Sequence, residues 1–279
     1  MLTRADLEAA AAVVHKAMPP TPQYAWPLLA QRFGVQVVVK HENHTPTGAF
    51  KVRGGFVYMA RLKHERPEVR GVVSATRGNH GQSLALAGAK AGIPVTIVVP
   101  RGNAKEKNAA MRAFGAELIE YGADFDEART RLPELAAERG YEVVPSFHPD
   151  LVAGVATYAL ELFGAFPDLD TVYVPIGLGS GICGLLAARD ALGLSTKIVG
   201  VVSDRADAYA RSFEEGRIVT TSPSASASVS RSITTPEAET PRRRTSTGSA
   251  RASMQCGLGS SHCSSRWAGR LRQRHCVGV

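Results

Sequence analysis

A lysine at the start of a predicted helix is the first residue in the sequence whose chemistry stands out. Lys51 lies in KHENHTPTGAFKVRGG, residues 40–55, where a predicted strand ends and the chain turns at Pro46 and Gly48. A helix N-terminus disfavours an ammonium ion through its dipole and so lowers the lysine pKa. An amine that is partly neutral at pH 7 is a nucleophile for aldehydes and a candidate general base. Taken alone, the segment is explained more simply by a solvated lysine in a turn.

A second segment follows a predicted strand and opens a helix. It reads SATRGNHGQS, residues 74–83. Consecutive N–H groups around residues 76–80 would point at whatever lies at this helix end, and such a nest binds anions, for example a carboxylate. An ordinary capped turn explains the segment equally well, and His80 by itself is more often structural than catalytic.

A third segment is rich in glycine and also joins a predicted strand to a helix. It reads VPIGLGSGICG, residues 174–184, and no Lys-Ser/Thr follows, which excludes a nucleotide P-loop. Glycine lets the backbone approach a phosphate closely. However, Gly179, Gly181 and Gly184 satisfy GxGxxG, and Asp204 follows Gly184 by 20 residues, where a dinucleotide-binding protein has its ribose acid. Both interpretations stay open for this segment alone.

The cysteines predict neither a zinc site nor a disulfide framework. A zinc site generally needs a close C-x2–4-C pair, which is absent. Cys183 is the single cysteine before residue 221. The cysteines and histidines near the C-terminus, which we interpret as accidental, are Cys256, His262, Cys263, His275 and Cys276.

Together and in this order, the three segments resemble those of the pyridoxal-phosphate (PLP) enzymes of the tryptophan-synthase-β fold, above all the serine/threonine dehydratases. TGAFKVRGG resembles the Schiff-base lysine signature of that family, TRGNHGQS its substrate-carboxylate and ring loop, and PIGLGSGICG its phosphate loop. The resemblance runs from about residue 21 to about residue 220.

The resemblance implies a role for each matching residue. Lys51 would hold PLP as a Schiff base and act as the catalytic base, Phe50 would pack on the cofactor ring, and Asn79 would hydrogen-bond the ring hydroxyl. The residues that would bind the cofactor phosphate are Gly177, Leu178, Gly179, Ser180 and Gly181. Those that would bind the substrate carboxylate are Thr76, Arg77, Gly78, Asn79 and His80. Arg77 stands where related enzymes often have a small residue, and its role is open.

The implied activity is the deamination of L-threonine and/or L-serine to a 2-oxo acid and ammonia by β-elimination of water. A serine racemase or a β-replacement synthase of the same fold is the alternative, as is an inactive truncated relative. Two other classes stay open. A dinucleotide-binding oxidoreductase would leave Lys51 and residues 76–80 without a role, and a basic-tailed interaction protein would need no catalysis. The expected partner is a small amino acid, with a homo-oligomer if the full fold is present.

Two departures from the family pattern limit these expectations. The residue that usually bonds the pyridine nitrogen has no convincing equivalent, because GLGSS at residues 257–261 resembles it only superficially. Some relatives bind a divalent cation near the strand that ends at Ser203; Asp207 matches one of those acids, but Ser203 stands where a glutamate is expected. The sequence therefore predicts no metal site.

The elements that must position these residues alternate between β-branched runs and Ala-rich amphipathic runs, which is typical of parallel sheets covered by helices. We predict an α/β fold of two such domains (PLP fold type II), incomplete at the C-terminus. Residues 1–49 plus 146–220 would form the large cofactor domain and residues 50–145 the small domain. The predicted helices are 5–18, 51–63, 79–91, 104–114, 125–139, 152–163 and one after the Gly-rich turn; the strands are 35–40, 71–75, 95–99, 116–120, 141–144, 171–176 and 197–203.

The composition excludes several classes of protein. Of the 279 residues, 44% are hydrophobic and 21% charged, which excludes wholesale disorder. No apolar run reaches the roughly 18 residues of a membrane helix, and the acidic, Ala-rich N-terminus is unlike a secretory signal, so we expect a cytoplasmic protein without a membrane partner.

The basic charge is concentrated in the last 59 residues. Residues 221–279 hold nine of the 33 Lys and Arg but two of the 25 acids, so the rest is nearly balanced and predicts no nucleic-acid partner. This tail has 13 Ser and neither helical nor strand periodicity. We predict that it is disordered or, as in high-GC genes read after a frameshift, out of frame, which would leave the chain inactive.

Overall fold

The computed structural model describes residues 2–204 and 206–220, together with the backbone of residues 230–234 and 275–278. The strands are β1 Gln23–Ala25, β2 Val37–Lys40, β3 Val72–Ala75, β4 Val95–Val99, β5 Glu117–Glu120, β6 Glu142–Val143, β7 Thr171–Pro175, β8 Lys197–Ser203, β9 Ser230–Thr234 and β10 His275–Gly278. The helices are α1 Arg4–Ala17, α2 Pro27–Phe33, α3 Lys51–Glu65, α4 Asn79–Ala91, α5 Lys105–Ala113, α6 Phe125–Thr130, α7 Leu132–Arg139, α8 Pro149–Val155, α9 Thr157–Ala165, α10 Ser180–Ala191 and α11 Ala208–Glu215.

Contacts divide the chain into two compact units. The first unit comprises Met1–Pro22 and His41–Glu161, and the second comprises Gln23–Lys40 and Leu162–Val279. This grouping differs from the division that we predicted at residues 50–145, because α1 and α8 pack on α3. The assignment of residues 1–49 plus 146–220 to one cofactor domain stays a prediction. No helix in the described part of the chain has the length and apolarity to cross a bilayer.

The first unit contains a parallel four-stranded sheet in the order β5-β4-β3-β6. Every residue of β3 and β4 is buried, as the sequences VVSA and VTIVV require of central strands covered on both faces. The carboxyl ends of β3 and β4 lie side by side, since Ala75 pairs with Val98. The loops after these two strands are therefore neighbours.

The second unit contains a six-stranded sheet in the order β1-β2-β10-β7-β8-β9. Its four inner strands are parallel, and β1 and β9 close the two edges antiparallel. The predicted fold class is thereby confirmed: two mainly parallel sheets with helices. We did not predict β9 and β10, which lie in the Ser/Arg-rich tail. The remainder of that tail lies outside the described residues, so its predicted disorder, its reading frame and the incompleteness of the fold stay predictions.

Several predicted helices have different bounds in the structure. The predicted helix 125–139 is two helices, α6 and α7, because Pro133 occupies the first turn of α7, where its missing N–H is tolerated but a helix cannot continue through it. The predicted helix 152–163 begins earlier, at Pro149 after the N-cap His148, and is interrupted at Ala156. We did not predict β1, α2 or α11, which are short.

Glycines bring α3 into backbone contact with two other helices. A Cβ at Gly54 would lie 2.6 Å from the carbonyl oxygen of Leu151 in α8, and one at Gly154 would meet the carbonyl of Arg53. A Cβ at Gly55 would meet the side chain of Ser83 in α4. Because backbone atoms cannot move aside as a flexible side chain can, the start of α3 is held tightly against α8 and α4.

Substitution of Gly54 by alanine should therefore destabilise the protein. The added methyl has no space, and overpacking of this kind costs about 1–3 kcal/mol, which exceeds the gain in helix propensity of roughly 1 kcal/mol. The free energy of unfolding from denaturant titration would show the loss. The matched control is Gly164→Ala in α9, where a Cβ meets nothing within 4 Å and stability should rise slightly. Equal effects of the two substitutions would contradict the close approach.

Candidate functional site

Lys51 is the first residue of α3 and is half-buried. Its Nζ lies 5.7 Å from the centroid of the Phe50 ring, which in turn lies 6.0 Å from the ring of Tyr158. Burial lowers the pKa of Lys51 below its ordinary value. The sequence analysis also predicted a lowered pKa for Lys51, but from the helix dipole. In the structure the cause is the loss of water around the ammonium ion. A neutral amine at this position is a nucleophile for an aldehyde.

The helix that begins at Lys51 is anchored by a buried arginine two residues later. Arg53 is fully buried and donates to both oxygens of Glu42 at 2.7 and 2.9 Å and to both oxygens of Glu161 at 2.6 and 2.9 Å. It also donates to the hydroxyls of Thr157 and Thr21. Two bidentate carboxylates satisfy the planar guanidinium geometry, so the first turn of α3 has one position relative to its neighbours. Burial alone would lower the pKa of Arg53, but its bonds to Glu161 and Glu42 raise it.

The segment at residues 76–80 forms the start of α4, as predicted. Gly78 is the N-cap, no side chain caps the helix, and its first turn contains no acid. A bond from Thr76 N–H to the carbonyl of Val98 (3.1 Å) ties the loop to β4, and one from Gly78 N–H to Thr76 Oγ1 (3.1 Å) closes the turn within the loop. The first N–H groups of an uncapped helix attract an anion. Asn79, on this helix end, is exposed.

The helices that carry the two candidate segments are bonded directly to each other. Ser83 of α4 donates its hydroxyl to the carbonyl of Lys51 (2.7 Å). His80 lies three residues earlier, on the same face of α4. Lys51 and residues 76–80, which are predicted to act together, therefore lie at adjoining helix starts within the first unit.

His80 is buried and neutral. Ser74 Oγ lies 3.3 Å from His80 Nε2 and 2.7 Å from the carbonyl oxygen of Val144. The single hydroxyl proton of Ser74 is used on that carbonyl, so Nε2 of His80 carries the proton and donates to Ser74. Burial, with a smaller contribution from the charge of Lys51, lowers the pKa of His80 to about 3. The imidazole thus contributes no positive charge beside Lys51.

The glycine-rich segment opens α10 in the second unit. Gly179 is the N-cap with φ +93°, a left-handed conformation that favours glycine, and neither a capping side chain nor an acid of the first turn competes for the N–H groups. Gly177 is exposed, Leu178 half-buried, and Gly179, Ser180 and Gly181 are buried. A phosphate can be held by backbone N–H groups at such a helix start.

The two acids that follow β8, which the sequence analysis considered for a ribose or a metal ion, are both buried. Asp204 is 4% exposed and Asp207 is 0% exposed. Among the described residues, no group of three or more His, Cys, Asp or Glu is placed to hold a metal ion. The expectation of no metal site stays a prediction, as does the identity of every site residue.

Each unit, taken by itself, holds groups that suit one part of PLP. Half-buried Lys51 supplies an amine whose pKa is lowered, Phe50 supplies an aromatic ring beside it, and α10 supplies an uncapped glycine start for a phosphate. Neither the first turn of α4 nor that of α10 contains an acid that would repel a phosphate or a carboxylate.

Comparison with known families decides the cofactor. A sequence profile of the family described as pyridoxal-phosphate dependent enzyme matches residues 14–252. The chain belongs to this family. The predicted resemblance and the predicted cofactor, pyridoxal 5′-phosphate, are thereby confirmed. Family membership favours a PLP phosphate rather than a dinucleotide at Gly179–Gly184, a range that also matches GxGxxG.

Members of the pyridoxal-phosphate dependent enzyme family with known activities resemble the chain over most of its length. The biosynthetic L-threonine dehydratase of Salmonella typhimurium is 36% identical over 209 residues, which are 75% of this chain and 40% of that protein. The L-threo-3-hydroxyaspartate ammonia-lyase of Saccharomyces cerevisiae is 35% identical over 200 residues, 71% of this chain and 61% of that protein. The chain thus spans about half the length of these relatives.

A solved structure with a similar fold is that of maize serine racemase. Its TM-score is 0.75 at 28% identity, over 78% of this chain and 67% of that one. This similarity supports the fold class, and it places a racemase beside the dehydratases among the similar proteins.

Sequence reasoning missed the residues that support the site. Ser83, Ser74 and Tyr158 are ordinary core residues by sequence, and nothing in the pattern indicates their bonds or ring contact. The partners of Arg53 lie up to 108 residues away along the chain, so no local signal could have identified them.

Glu42→Gln tests the anchor of α3. It removes one charge of a buried pair whose arginine is 0% and whose glutamate is 3% exposed, and breaking such a pair costs about 3–5 kcal/mol. Denaturant unfolding of the variant measures this loss. The control is Glu8→Gln, which breaks the exposed pair of Arg4 and Glu8 and should cost under about 1 kcal/mol. If both variants lost equally little, the anchor would not determine stability.

The neutral state of His80 should make stability depend on pH. Its pKa is about 3 in the folded protein and 6.5 in the unfolded one, so the unfolded state binds more protons between these values. The free energy of unfolding should therefore fall as pH decreases through this window, by up to about 1.4 kcal/mol per pH unit from this group. Urea titrations at several pH values would show a smaller slope for His80→Gln. An unchanged slope would contradict a buried neutral imidazole.

Proposed function

We propose that the chain is a PLP-dependent lyase that deaminates L-threonine and/or L-serine to a 2-oxo acid and ammonia. The observation that carries this proposal is the adjacency of two features in the first unit: the amine of Lys51, with its lowered pKa, and the uncapped start of α4, bonded through Ser83 to the carbonyl of Lys51. The amine of Lys51 suits the carbonyl group of a cofactor, and the start of α4 suits the carboxylate of an amino acid.

Each part of the chain has a task in this proposal. When bound, PLP supplies an aldehyde for the substrate amine and an electron sink that acidifies the Cα proton. The N–H groups at residues 76–80 hold the substrate carboxylate, and the released amine of Lys51 removes the Cα proton at its Nζ. Phe50 keeps water from one side of Lys51. The backbone of Gly177–Gly181 holds the phosphate.

The overall reaction balances without a further reactant. Loss of the β-hydroxyl and the Cα proton removes one water and leaves an enamine, which tautomerises to an imine. Hydrolysis of the imine takes one water back and releases ammonia with the 2-oxo acid. No oxidant or reductant is needed, which agrees with the loss of water named in the threonine dehydratase relatives.

A racemase of the same fold is the second candidate. It is supported by the similarity to maize serine racemase. Both reactions begin with removal of the Cα proton, and they differ in whether the hydroxyl leaves or a proton returns to the opposite face. Chiral analysis of serine after incubation distinguishes them, since a lyase gives pyruvate and ammonia without D-serine. The cytoplasmic location and homo-oligomeric state also stay predictions.

Lys51→Ala should abolish both cofactor attachment and turnover. The wild-type chain mixed with PLP should show the visible absorbance of a Schiff base and release ammonia from threonine; loss of the base and nucleophile should lower the rate by about 10²–10⁴-fold or more. Borohydride reduction followed by peptide mapping should locate the cofactor on Lys51, a result that does not depend on turnover.

The control variant is Lys63→Ala, which removes a lysine from the last turn of the same helix, where it donates to the carbonyl of Ala91. It should keep the absorbance and the rate. Ammonia release by purified Lys51→Ala at close to the wild-type rate, or cofactor attachment at another lysine, would contradict the proposal.

A further inference from the structure

Two cations adjoin the loop that is proposed to bind the substrate carboxylate. Arg77 is exposed, although Thr76 and Gly78 on either side of it are buried. Lys107, from α5, lies across Gly78: a Cβ on that glycine would be 2.5 Å from Cδ and 3.0 Å from Nζ of Lys107. The absence of a side chain at Gly78 is what lets Lys107 come this close, so its ammonium group is placed at the loop.

Neither cation has an acidic partner. Within residues 2–204 and 206–220, the side chains of Arg77 and Lys107 form no ion pair and no hydrogen bond. Two other cations near this sheet are paired, since Arg139 binds Glu117 and Arg112 lies 3.9 Å from Glu120, whereas Arg70 and Lys105 are in no ion pair of the described residues. Glu106, next to Lys107 in sequence, is exposed and forms no ion pair with it. The loop therefore carries uncompensated positive charge.

The positive groups exceed what one carboxylate requires. The uncapped N–H groups of α4 suffice to bind the α-carboxylate that every amino acid has. A substrate without a second acidic group would leave the exposed guanidinium of Arg77 bonded to water alone. A second carboxylate on the substrate would accept two parallel hydrogen bonds from the planar guanidinium and neutralise the excess charge.

We propose that Arg77, with Lys107 beside it, binds an acidic group on the side chain of the substrate. The preferred substrate class is then a β-hydroxy amino acid that carries a side-chain carboxylate, with threonine and serine as poorer substrates. This inference rests on the proposed function, since it takes residues 76–80 as the carboxylate loop. The reaction is unchanged: water is lost and regained, and the products are ammonia and a 2-oxo dicarboxylic acid.

Binding can be tested without turnover. L-Aspartate and L-alanine differ by the side-chain carboxylate, and neither has a β-hydroxyl to eliminate, so calorimetric titration of the PLP-loaded chain measures binding alone. Aspartate should bind at least about tenfold more tightly than alanine, because charge-assisted hydrogen bonds are the strong ones. Arg77→Ala should remove most of this ratio by weakening aspartate only. Arg77→Lys keeps the charge but loses the two parallel N–H donors, so its aspartate-to-alanine ratio should be intermediate. Lys107→Ala should reduce this ratio less than Arg77→Ala does.

Arg70→Ala is the matched control. Arg70 is exposed and precedes β3, the strand that Arg77 follows, so the same charge is removed at the opposite end of that strand. It should leave the ratio unchanged. In turnover, the ratio of kcat/KM for threo-3-hydroxyaspartate over threonine should fall by about tenfold in Arg77→Ala and not in Arg70→Ala.

The possible failures are distinct. An unchanged aspartate-to-alanine ratio in Arg77→Ala, equal weakening of both ligands, or no binding of aspartate would overturn the inference. A chain that shows no Schiff-base absorbance with PLP, or keeps it in Lys51→Ala, would overturn the proposed function instead.

Discussion

The buried arginine two residues after Lys51 is the interaction on which the candidate site depends. Arg53 joins α3 to the turn that contains Glu42 and to α9 through Glu161, while Gly54 brings the same turn of α3 into backbone contact with α8. A lysine side chain has four flexible bonds, so its amine is useful only if the backbone that carries it is fixed. The hydrogen bonds of Arg53 and the backbone contact at Gly54 fix the first turn of α3, which carries Lys51.

The electrostatics of the first unit favour bound anions without surrounding them with buried charge. Burial lowers the pKa of Lys51 and keeps His80 neutral, the charge of buried Arg53 is compensated by Glu42 and Glu161, and the start of α4 offers N–H groups rather than a charged side chain. The start of α10 in the second unit repeats this arrangement. Backbone dipoles of this kind need no reorganisation when a ligand binds. Arg77 and Lys107 are the exception, since they are full charges at the edge of the loop.

The second sheet depends on a segment that sequence periodicity does not identify. Strand β10, residues 275–278, lies between β2 and β7 and pairs with both. Without it, two parallel strands would present unpaired edges, which invite aggregation. The chain also spans only 40% of the Salmonella dehydratase and 61% of the yeast lyase.

Local chemistry made much of the molecule predictable. Alternating β-branched and Ala-rich runs determined the α/β class and most elements of the first unit, because periodicity reports which faces are buried; three segments in order determined the family and PLP. Tertiary structure alone decided the rest. Glu42 and Glu161 reach Arg53, and Lys107 crosses Gly78. The carbonyl of Val144, 70 residues from Ser74, takes the hydroxyl proton of Ser74 and so sets the tautomer of His80. No local pattern encodes contacts of this kind. Burial, rather than position at a helix start, likewise sets the pKa of Lys51, since desolvation depends on everything packed around the amine.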